Sequence, residues 1–157
     1  MTSSDAECEW RRFEDEYGFP GEAEPPKPYM TWDVSWLYSL DDQEFGELER
    51  CLTHKCLLAL RRCLHVNEMV NAFIWNSKAY RFDAHAEIPR ICRDYWAVPV
   101  VPDGDNYFFI SSDLSFGILS LCEDMSICVF GEKMIGHMTS ERPSALRDLI
   151  ASGNGST

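Results

Sequence analysis

The sequence predicts an α+β fold: an antiparallel sheet of about five to seven strands, one long helix packed on a face, and short helices at the termini. Three observations lead there. Residues 41–65, DDQEFGELERCLTHKCLLALRRCLH, repeat apolar positions at helical spacing. Residues 29–36, YMTWDVSW, alternate with the period of a strand. After residue 70, apolar runs follow one another too closely to admit crossover helices, which argues for an antiparallel meander.

Each element has its own warrant. In DAECEWRRFEDEY, residues 5–17, Trp10, Phe13 and Tyr17 form one stripe of a short helix, with Gly18 and Pro20 as stop signals. Pro25, Pro26 and Pro28 make the following GFPGEAEPPKP an extended linker. Residues 1–28 are therefore expected to form an acidic arm, docked on the domain or turned toward a partner. In 29–36, Met30, Trp32, Val34 and Trp36 share one face of the predicted strand. Ser39 and Asp42 stand in capping-box spacing ahead of the long helix, with Asp in place of the usual Glu or Gln. Acids gather in its first turns and bases near its end, which complements the helix dipole.

Strands are predicted at Val70–Trp75 and Ala79–His85, joined near Asn76-Ser77, and then at Tyr95–Val101, Asn106–Ser111, Phe116–Leu121 and Ser126–Phe130. Pro99 restricts its strand to an edge. Asn106–Ser111 is apolar on both faces, so it should be central. Thr139 or Ser140 is expected to cap a short helix with Pro143 in its first turn, ending before Gly153. A single domain over 29–151 and a flexible tail over 152–157 complete the reading.

Composition narrows the class of protein. A chain of 157 residues with 45% hydrophobic content, five Trp, nine Phe and six Tyr can bury a core large enough to offset ordering entropy. The opening MTSSDAECEW has no basic start followed by an apolar run, and no later stretch approaches the ~20 apolar residues of a span, so a soluble, cytoplasmic protein is expected. Seven cysteines without paired spacing suit a reducing compartment.

The net charge is −12, and residues 1–49 hold fourteen acids against Arg11, Arg12 and Lys27. Residues 50–157 are nearly balanced, with twelve acids and eleven bases. Such a field repels nucleic acid and anionic membranes and favours a basic protein partner.

Three constellations bear on chemistry. Pro102-Asp103-Gly104 between two apolar runs reads as a turn, since a calcium loop would need further oxygen ligands at alternate positions. Arg81, Asp83 and His85 would share one face of a strand, where they could orient an anion or poise an imidazole for proton transfer. Cys51, His54, Cys56, Cys63 and His65 suggest zinc, but Cys51 and Cys56 lie about 140° apart on a helix, so no metal or cofactor is predicted.

Thr31-Trp32-Asp33-Val34-Ser35, Tyr80-Arg81-Phe82-Asp83-Ala84-His85, Pro102-Asp103-Gly104-Asp105-Asn106-Tyr107-Phe108-Phe109 and Cys128-Val129-Phe130-Gly131-Glu132 together resemble an uncharacterised bacterial family, the domain-of-unknown-function 2716 family. The likeness spans residues 24–135. Ala84 stands where the family has Pro, and Ser120–Met125 lacks the family's His and Trp. The resemblance implies a common fold and no particular reaction.

The leading expectation is a non-catalytic acidic binding protein, an inhibitor or immunity-type factor that masks a basic surface of a toxin or nucleic-acid-handling protein. Anti-defence and anti-CRISPR inhibitors that mimic nucleic acid are one form of this. The partner-binding residues would be Glu7, Glu9, Trp10, Phe13, Glu14, Asp15, Glu16 and Tyr17. The alternative is a small enzyme or ligand-binding domain built on Arg81, Asp83 and His85.

Overall fold

The computed structural model describes residues 3–18, 24–75, 77–92 and 95–154. Seven strands form one antiparallel sheet: β1 (Tyr29–Asp33), β2 (Val70–Ile74), β3 (Ala79–Phe82), β6 (Tyr107–Ser111), β7 (Gly117–Leu121), β8 (Ser126–Phe130) and β9 (Asp148–Gly153). Their order is β3-β2-β6-β7-β8-β1-β9. Two short strands, β4 (Arg90–Cys92) and β5 (Tyr95–Trp96), pair as a separate ribbon. The helices are α1 (Ser3–Tyr17), α2 (Asp42–Cys63) and α3 (Glu132–Ser140), with a 3₁₀ turn at Ser35–Ser39.

Alternation along the strands divides the sheet into two apolar faces. Val70, Ala72, Phe109, Ile118, Ile127 and Val129 join the larger core with Leu52, Cys56 and Leu60 of α2 and Met134 and Met138 of α3. Phe73, Phe108, Ile110, Leu119, Cys128 and Phe130 form the second core, which Phe13 of α1 completes. Every residue of β6 is buried, as its two apolar faces require. Helix, sheet and helix thus make three layers.

Several local expectations are corrected. The alternating run at 29–36 stays in the ladder only to Asp33, and Trp36 belongs to the 3₁₀ turn. Asp41 caps α2, its Oδ1 accepting from Glu44 N–H at 2.8 Å, whereas Ser39 Oγ donates to the Trp36 carbonyl. In place of a strand at Tyr95–Val101, only Tyr95 and Trp96 pair, and Val98, Val100 and Val101 are buried outside the ladder.

Thr139 and Ser140 end a helix rather than begin one, their hydroxyls donating back to Ile135 and His137 carbonyls. The segment expected as a terminal helix is the edge strand β9, which carries the sheet through Ser152 and Gly153 against Met30 and Tyr29. Linker residues 19–23, Asn76 of the predicted turn, and tail residues 155–157 lie outside the described residues.

Candidate functional site

The Arg81, Asp83, His85 trio does not assemble. β3 ends at Phe82, so only Arg81 keeps a strand position. Its Nε donates to Asn71 Oδ1 at 2.9 Å, and its guanidinium lies 3.3 Å from Glu9 of α1. Asp83 instead closes a turn, its Oδ1 accepting from His85 N–H at 2.9 Å. The His85 ring donates through Nε2 to the Leu64 carbonyl beyond α2, at 3.0 Å, and Arg61 Nε donates to the Ala84 carbonyl at 2.7 Å. Arg81 therefore fastens α1, while Asp83 and His85 fasten the end of α2. The three side chains do not share one face: Arg81 turns to the α1 side of the sheet and His85 to the α2 side.

The arm helix is docked. Trp10 stacks on Phe108 with centroids 4.9 Å apart and meets Phe73 edge-on at 5.7 Å. Phe13 is fully buried and lies 6.2 Å from Phe130. Glu9, which also pairs with Arg12 at 3.1 Å, adds a polar pin to Arg81. Arg12 reaches the Ser112 carbonyl at 2.8 Å.

Of the residues expected to meet a partner, Glu9, Trp10 and Phe13 are thus engaged internally, and the Tyr17 side chain lies outside the described residues. Glu7, Glu14, Asp15 and Glu16 are exposed, with Glu7 held by Arg11. Among the described residues, no base forms an ion pair with Glu14, Asp15 or Glu16.

The acidity of the first third is divided between layers. Asp41, Asp42, Glu44 and Glu47 are exposed at the start of α2, on the face of the sheet opposite α1. Of these, Asp42 lines the second candidate surface.

A cleft of ≈ 550 Å³ runs between α2 and the ribbon of β4 and β5 with its following loop. One stripe of α2 forms a wall, because Asp42, Gly46, Glu49, Thr53 and Leu57 recur at spacings of three and four. The ribbon and loop supply Arg90, Tyr95, Trp96, Pro99 and Asp103. The loop is anchored by two phenols: Tyr38 donates to the Pro102 carbonyl and Tyr107 to Asp103 Oδ1. Gly104, at φ +116, supplies the left-handed position of this turn.

The anchoring concentrates negative charge. Burial, then the charges of Asp103 and Glu49, push the Tyr38 phenol up to about 12. Burial and the Asp103 charge also raise the Glu49 carboxyl above its ordinary value, while Arg50 pulls it back. Such a cleft can hold a small molecule by an apolar body and charged ends. The readable signals were the helix-weakening Gly46 and the Arg50, His54 pair four residues apart, yet only folding brings the loop opposite them.

Other conspicuous groups are structural. Cys56 and Cys128 are buried, and burial pushes both thiols up to about 12. Cys51 is exposed on the opposite side of α2 from Cys56. Among the described residues, no group of three His, Cys, Asp or Glu side chains is placed to share a metal ion.

Comparison with known proteins finds uncharacterised relatives. An uncharacterised protein of Bacillus subtilis (strain 168), YxiI, is 30% identical over 126 residues, covering 79% of this chain and 78% of the relative. No solved structure matches the chain. The family model described as "Protein of unknown function (DUF2716)" matches residues 1–135, a span that takes in α1, the latch residues Glu9 and Arg81, and the whole cleft; the chain belongs to this family.

Proposed function

We propose that the protein is a non-catalytic acidic binding protein, an inhibitor or immunity-type factor that covers a basic surface of a toxin or nucleic-acid-handling protein in the cytoplasm. One observation carries this reading. α1 is fixed by Trp10, Phe13 and Glu9, while Glu14, Asp15 and Glu16 are left exposed around its last turn. Fixing the helix beforehand lowers the ordering entropy a partner must offset. Unneutralised carboxylates on a rigid helix favour rapid capture of a cationic surface and repel nucleic acid and anionic lipid. The free thiols suit a reducing compartment. No described helix is long and apolar enough to cross a membrane.

Because α1 completes the second core, deleting the arm would confuse folding with recognition. The test is therefore charge alone: Glu14→Gln, Asp15→Asn and Glu16→Gln combined, against wild type, in affinity capture from the native host at low and high salt. The wild-type protein should retain a basic partner whose capture falls steeply with salt. The triple variant should lose at least about tenfold of that affinity, with an unchanged melting midpoint. Equal, salt-insensitive capture by both proteins overturns the proposal.

A further inference from the structure

We infer that the cleft between α2 and the β4–β5 ribbon binds a small zwitterion with an aromatic body: an aromatic amino acid, or a dipeptide of such residues, with both its ammonium and carboxylate free. The site is independent of the acidic face of α1 and lies on the other side of the sheet.

The arrangement of charge selects the ligand. Asp42 and Glu49 mark the earlier part of the α2 wall, and Asp103 is held near them because Tyr38, whose ring packs 5.2 Å from Phe45, also binds the Pro102 carbonyl. Arg50 and His54 continue the same wall toward the end of the helix, and Arg90 is contributed by β4. Asp42 and His54 are separated by about 18 Å along the axis at 1.5 Å per residue.

Glu49 and Asp103 are close enough to repel one another. An ammonium group between them relieves that repulsion, and a carboxylate can pair with Arg50 and His54. A lone cation would meet the bases, and a lone anion the acids.

Shape agrees with charge. The volume falls within the range of small-molecule pockets, roughly 300–1,000 Å³. Phe45, Tyr95 and Trp96 line it, and Tyr95 is left 60% exposed, an aromatic ring with apolar surface still to cover.

Gly46 supplies a further observation. A glycine inside a helix costs about 1 kcal/mol relative to alanine. Here no left-handed backbone requires it. An added Cβ would meet only Arg50 Nη1, at 3.4 Å, so the residue keeps the wall open rather than relieving a clash.

The experiment is calorimetric titration of the full chain with L-tryptophan and L-phenylalanyl-L-phenylalanine. N-acetyl-L-tryptophan and L-tryptophanamide serve as single-charge controls for tryptophan, and the N-acetylated and C-amidated dipeptides as those for the dipeptide. At least one zwitterion should bind with a sub-millimolar constant, and removing either charge should weaken it by about tenfold or more. Arg50→Ala should weaken the zwitterion without weakening its amide.

Gly46→Leu, which favours the helix while filling the cleft, should abolish binding with an equal or higher melting midpoint. Failure of both zwitterions to bind below about 10 mM, equal binding of the blocked probes, or undiminished binding by Gly46→Leu each overturns the proposal.

Discussion

At the scale of single residues, the short motifs of this sequence resolve into backbone devices. Gly131, in Phe130-Gly131-Glu132, has φ +95, and a Cβ there would come within 2.5 Å of Phe116 Cβ. Its place is dictated by the chain's turn from β8 into α3.

Asp113 performs a similar service between β6 and β7. It accepts from Ser111 Oγ at 2.8 Å and from both Ser115 N–H and Ser115 Oγ. Burial alone would raise its carboxyl, but these hydrogen bonds outweigh burial and hold it below the ordinary value. A depressed folded value means that the stabilisation is present above about pH 4 and is lost as pH falls through the lower folded value. Because Asp113 is exposed, solvent screening discounts this contribution, and Asp113→Asn is expected to lower stability by no more than about 0.5 kcal/mol at pH 7. Urea melts of the two proteins should converge at acid pH, and a gap that stays constant from pH 7 to pH 2 contradicts the assignment.

For the secondary-structure elements, legibility followed how far local pattern alone determines the outcome. The long helix, the β2–β3 hairpin and the β6-β7-β8 meander were readable because burial on defined faces imposes periodicity. The run at 29–36 misled because alternation persists through Val34 and Trp36 while the ladder ends; Val34 N–H bonds instead to the Met125 carbonyl. β9 was unreadable for the opposite reason: Asp148–Ser152 is exposed throughout, so nothing in DLIAS carries a period.

The Arg81, Asp83, His85 pattern required a strand three residues longer than β3, and the turn chemistry of Asp83 ended it first. α1 shows what the stripe of Trp10 and Phe13 was for. Phe13→Ala should cost about 3–5 kcal/mol, as loss of a fully buried aromatic does. Amide exchange along Ser3–Tyr17 should rise at the same time. A smaller loss, under about 1 kcal/mol, would mean that the helix does not depend on this core.

Across the whole molecule, β1 lies between β8 and β9 although it precedes both by most of the chain. Its pairing is wholly long-range: Tyr29–Asp33 face Ser126–Phe130 on one side and Asp148–Gly153 on the other. Trp32 is completely buried at this junction. Ending the chain at Arg147 should bare the β1 edge, lower the melting midpoint by at least about 5 °C and promote association detectable by light scattering. A monomeric truncated protein with the wild-type midpoint would show β9 to be dispensable.

The same topology governs how the protein is made. A ribosome delivers β1 long before its ladder partners, and at 5–20 residues per second the interval from Asp33 to Ser126 is on the order of ten seconds. Throughout that interval Trp32 has no strand beside it, so an emerging chain exposes sticky surface that only its last-synthesised quarter can hide. Ribosome-bound chaperones should therefore engage this protein until synthesis is nearly finished.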